Sequence, residues 1–125
     1  MIPIKGYATF DPLKHCWLGS GFQTEWFRDL PIYNDNRVMD PLKRIAEETE
    51  EDYQSLVTIL KDAGVHTYRS FLDIDKVNSL KNINKPPTVP RDYFAVIGET
   101  LYAVGEPAVG YANVLKQIKN KNLKI

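Results

Sequence analysis

Cysteine is nearly absent from this 125-residue chain: Cys16 is the only one, so no disulfide can form within it. No set of cysteines and histidines has the spacing that structural zinc requires, and the expectation is a protein with no metal and no cofactor. There is no excess of charge either, because 16 basic residues balance 16 acidic ones. The chain therefore has no overall field to draw in nucleic acid or an anionic membrane surface. Long hydrophobic runs are missing as well, and no stretch reaches the ~18 apolar residues of a membrane span. The opening Met1-Ile-Pro-Ile-Lys-Gly6 lacks the basic and apolar regions of a secretory leader, which makes the cytoplasm the expected location.

What is present is a globular composition, since 43% of the residues are hydrophobic, enough for the core of one domain. Asp11-Pro12 signals a turn, and the run Leu13 to Leu18 reads as a buried strand ending at Gly19. From Phe22 to Asn36, aromatic residues interleave with turn formers, which predicts a loop pinned by its aromatics and suited to be a pocket wall. Leu42, Ile45, Ala46, Tyr53, Leu56, Val57, Leu60 and Ala63 recur at helical spacing, with Asp40 as N-cap, Pro41 as first helical residue and Gly64 as left-handed cap. Val65 to Phe71 reads as a strand reached through almost no loop, an α/β signature. Asp73 to Lys85 is polar and irregular, and Pro86, Pro87 and Pro90 keep the chain extended before a hairpin of 93–97 and 100–104 turning at Gly98-Glu99. Val109 to Ile118 begins a further helix, and the lysine-rich end through Ile125 reads as a frayed tail.

Asp92 is the residue to single out for chemistry. It sits where an extended segment enters a sheet, and its two oxygens match the parallel N–H donors of a guanidinium group. The same aspartate could instead pair with Arg91 or another cation, or cap a turn. His15 beside Cys16 resembles a base and a thiol, but neighbours in a strand point to opposite faces, so Cys16 reads as structural. His66 reads as a satisfied strand residue, Asp73, Asp75 and Asn78 fall short of a calcium loop, and Gly19-Ser20-Gly21 is no dinucleotide fingerprint. The acidic run Glu47 to Asp52 reads as a solvated helix face.

Three stretches together resemble the amino-terminal part of the glycine amidinotransferase-like family. They are Phe10-Asp11-Pro12-Leu13 leading to Trp17-Leu18-Gly19, then Val38 to Asp52 with Ala63-Gly64-Val65 and Tyr68-Arg69, and finally Val89-Pro90-Arg91-Asp92 with Val96-Ile97-Gly98. The resemblance covers roughly residues 8 to 107. It implies an α/β fold of the pentein type, a propeller of five ββαβ units, of which residues 1–125 form a single incomplete amino-terminal part: about one unit and part of a second. It implies an enzyme that passes an amidino group from arginine to an amine such as glycine, inactive as this chain alone. An amidine hydrolase of the same fold, similar to arginine deiminase, and a non-catalytic arginine-binding or interaction module are the alternatives.

Asp92 matches the family aspartate that helps bind the guanidino group, whereas the family's catalytic cysteine and histidine would fall beyond Ile125, so no catalytic residue is assigned. After the hairpin the family tends to carry arginines where this chain has Glu106 to Asn113. The implied partners are an arginine-like substrate and the remaining propeller units, in cis or as another chain. Unfinished sheet edges and apolar faces also imply self-association or a protein partner.

Overall fold

A computed structural model describes residues 1–8, 11–72, 88–104 and 109–125. The readings made for 73–87 and for 105–108, including Asp73, Asp75 and Asn78, lie outside the described residues. The chain is a mixed α/β structure with two small sheets and one main helix, and no closed barrel forms among the described residues. Strand β1 (His15–Leu18) pairs in parallel with β2 (His66–Arg69), and helix α1 (Asn36–Asp62) lies between them in sequence. The second sheet has the order β3 (Phe94–Ile97), β4 (Thr100–Ala103), β5 (Leu123–Lys124), with β3 antiparallel and β5 parallel to β4. No described helix is long and apolar enough to cross a membrane.

Helix α1 begins five residues before the proline expected to open it. Asp35 is the N-cap: its side chain accepts a hydrogen bond from the Arg37 N–H at 3.1 Å, and Met39 packs into the interior at 8% exposure. Pro41 therefore sits inside the helix and forgoes one backbone bond, a cost offset by the cap and by Met39. The other end follows the sequence. Gly64 has φ +79°, the Val65 N–H reaches the Leu60 carbonyl, and the Gly64 N–H reaches Lys61, a Schellman arrangement that only a residue without Cβ adopts freely. Val65 is buried directly after it, and β2 follows.

The hairpin also matches its sequence. Ile97 pairs with Thr100 across the two-residue loop Gly98-Glu99, and Gly98 has φ +61°. The amino-terminal strip joins here, with Gly6 and Gly98 exchanging two backbone hydrogen bonds at 2.8 and 2.9 Å. A Cβ on Gly6 would lie 2.8 Å from the Val96 side chain, so the approach needs glycine.

The carboxyl end departs from expectation. Instead of a frayed tail, Leu123 and Lys124 form β5, the Asn122 amide donates to the Glu99 carbonyl at 2.7 Å, and Ile118 is 4% exposed. Local spacing did not reveal this: Tyr111, Val114, Leu115, Ile118 and Leu123 become one face only when laid across the sheet. The helix expected over 109–118 shortens to α2 (Ala112–Leu115) after a 3₁₀ turn at Val109–Tyr111. Ile2, Phe94, Leu101, Tyr111, Val114 and Ile118 form the core, and Trp17 and Tyr68 of the first sheet pack against it.

Candidate functional site

Parallel strands joined through a helix leave a crevice beyond their carboxyl ends, the usual place for a ligand in an α/β protein. Here that crevice is a cleft of about 540 Å³. One wall is the segment Ser20–Trp26 after β1, another is α1 through Lys43, Glu47, Glu50 and Gln54, and the end of β2 supplies Arg69, Ser70 and Phe71. The aromatic loop expected to form a pocket wall does so, folding as 3₁₀ turns at Thr24–Phe27 and Pro31–Asn34. It sits hard against α1, because a Cβ on Gly21 would meet Thr49 at 2.9 Å. Trp26 is 4% exposed, and its indole N–H has no hydrogen-bond partner among the described residues.

Arg69 organises the cleft. Its Nε donates to the Gly19 carbonyl at 2.9 Å, Nη2 donates to Ser20 Oγ at 3.1 Å, and both terminal nitrogens reach the Glu50 carboxylate at 2.9 and 3.2 Å. The guanidinium lies 4.6 Å over the Tyr53 ring. Arg69 thereby ties the ends of β1 and β2 to α1. Glu50 is held below the ordinary glutamate range, chiefly by its hydrogen bond to Arg69. Burial pushes the Tyr53 phenol up, an effect the Arg69 charge opposes.

The Tyr53 hydroxyl donates to the Thr88 carbonyl at 3.1 Å, and from Thr88 the chain runs into the 3₁₀ turn Pro90–Asp92 that opens β3. Asp92 is thus carried on a turn anchored to the same helix that holds the cleft. Its side chain is exposed and makes no ion pair among the described residues, with Arg91 or with any other cation. Asp92 lines neither of the two clefts described for this chain. Its charge is felt by Tyr111, a 1% exposed residue whose ring lies 5.3 Å from that of Tyr93. The Tyr111 hydroxyl is buried without a hydrogen bond of full geometry among the described residues. Burial, then Tyr93 and Asp92, push it up to about 12, and the adjacent Val89 backbone tempers the rise only slightly.

The other chemistry-bearing residues lie elsewhere. By strand alternation His15 and Trp17 share one face of β1, and Cys16 lies on the opposite face. Burial raises the thiol of Cys16, the reverse of what a nucleophilic cysteine needs. His66 pairs in register with His15 and stacks on it at 5.2 Å. No group of three or more metal-ligating side chains forms among the described residues.

The Glu50–Arg69–Tyr53 arrangement is what residue-by-residue reading of the sequence missed. Glu50 and Tyr53, three apart, share one helical face, but only the packing of β2 against the helix brings Arg69 to them. Comparison with known proteins finds no family model that matches this chain and no matching curated protein.

Proposed function

We propose that this chain is the amino-terminal part of an amidinotransferase-like enzyme, a partial pentein-type propeller working in the cytoplasm, in which Asp92 binds the guanidino group of an arginine-like substrate. The observation that carries the reading is the carboxylate of Asp92, without an ion pair among the described residues and exposed on a braced turn where an αβ unit gives way to a hairpin. A carboxylate so placed is free to accept two parallel N–H bonds. That pairing orients a planar guanidinium and keeps its carbon presented for attack. The attacking thiol and the general acid/base would come from the remaining units, in cis or from another chain. Exposed apolar residues, Ile97 of β3 at 65% and Val104 just after β4 at 73%, support a surface that such units cover.

The test is arginine binding and turnover by the full-length natural protein and its Asp92→Asn variant. Isothermal titration should show a loss of at least tenfold in arginine affinity, as expected when a charge-assisted bond of about 1.5–3 kcal/mol is removed. Product analysis should show the amidino group on glycine; citrulline would shift the reading to a hydrolase. Unchanged arginine affinity in Asp92→Asn overturns the assignment.

A further inference from the structure

We propose that the cleft at the amino-terminal end of β1 is a binding site for a phosphate monoester carried on a small organic body, separate from Asp92 and independent of the reading given to it. The cleft measures about 750 Å³, within the range of small-molecule sites. Lys5 enters it from the amino-terminal strip, Lys14 and His15 from the start of β1. Asp11 is the one carboxylate among the described residues that line it, and the charge of Glu99 is near enough to the Tyr7 phenol to help raise it. In a chain with zero net charge, this is a local concentration of donors.

The imidazole is held in place. His15 Nδ1 lies 3.0 Å from the Tyr68 hydroxyl, and its ring stacks with two rings of β2, His66 at 5.2 Å and Tyr68 at 5.9 Å. We assign the tautomer in which the Tyr68 O–H donates to Nδ1, so that the ring proton sits on Nε2 and can be donated to a ligand in the cleft that His15 lines. Two ammonium groups and one oriented N–H suit a tetrahedral dianion better than a planar monoanion, because three oxygens can each take a donor. Leu13, 54% exposed, and Tyr7, 67% exposed, supply apolar surface for the body that carries the phosphate.

The chain contains only two histidines, so their Cε1–H resonances report the site directly, with His66→Gln assigning the pair. Phenyl phosphate titrated into the full chain at neutral pH and 0.15 M salt should shift the His15 resonance saturably in the low-millimolar range. Phenyl sulfate and inorganic phosphate should bind at least fivefold more weakly. Lys5→Ala and Lys14→Ala should each weaken phenyl phosphate at least fivefold, as should Tyr68→Phe, which removes no charge; Lys116→Ala should leave it unchanged. The two lysines are exposed, so their variants should keep the native amide spectrum. An unmoved His15 resonance, a response equal in Lys116→Ala and Lys14→Ala, or a proton found on Nδ1 by nitrogen NMR would each overturn the proposal.

Discussion

The two sheets are built on different physics. The β1–α1–β2 unit is joined largely by polar contacts. Of its helix only Met39 is buried, Ile45 and Ile59 face outward, and the strand ends are tied to the helix by the charged hydrogen bonds of Arg69. The β3–β4–β5 sheet is joined by apolar packing, with Phe94, Leu101, Tyr111, Val114 and Ile118 closed over by Ile2 and the carboxyl-terminal segment. The cleft organised by Arg69 lies in the polar unit, and the turn carrying Asp92 spans the seam between the two. Each region is therefore vulnerable in its own way, the first to loss of charge, the second to loss of volume.

The strongest way to break this comparison is to empty the apolar sheet. Phe94 stacks on Trp17 at 4.7 Å and meets Tyr111 edge-on at 5.3 Å, so Phe94→Ala should lower unfolding free energy by about 3–5 kcal/mol in urea titration. A loss below about 1 kcal/mol would mean that this core does not hold the fold.

The next largest effect separates the sheets by pH. The Tyr111 phenol ionises near its ordinary value of about 10 when unfolded and only near about 12 when folded. Between those values the unfolded state carries fewer protons, so stability falls as pH rises, by about 2 kcal/mol at the alkaline end. Tyr111→Phe should flatten that decline. If the alkaline limb is the same in both proteins, the buried phenol is not its source.

The smallest effect sharpens the other side. Glu50 is lowered by Arg69, so its contribution is present above the unfolded carboxyl value of about 4.3 and is lost as pH falls through the lower folded value. Because Glu50 is half exposed, Glu50→Gln should cost less than about 1 kcal/mol at neutral pH and remove that part of the acid limb, as read by urea midpoints between pH 3 and 6. An acid limb identical in Glu50→Gln would show that the pair contributes nothing.

How much was legible in the sequence differs from element to element. Gly64 and Gly98 marked a helix end and a hairpin turn, because each needs a backbone conformation that few other residues tolerate. The start of α1 was not legible at Asp40-Pro41: Asp35 offers an equally good cap, and only the burial of Met39 favours the earlier start. Asp92 was legible as an acid entering a strand. That it has no ion-pair partner among the described residues, and is braced through Thr88 and Tyr53, depends on groups 35 residues and more apart.

By itself the sequence determined what local chemistry controls: one long amphipathic helix, its glycine stop, the strand after it and the two-residue hairpin. The tertiary structure alone decided that Arg69 meets Glu50 and Tyr53, that His15 stacks on His66, and that Leu123 completes a sheet with Leu101. The physical reason is range. Caps and the tight hairpin turn are set by bonds within a few residues, whereas this ion pair, this ring stack and the β4–β5 pairing join residues far apart in sequence.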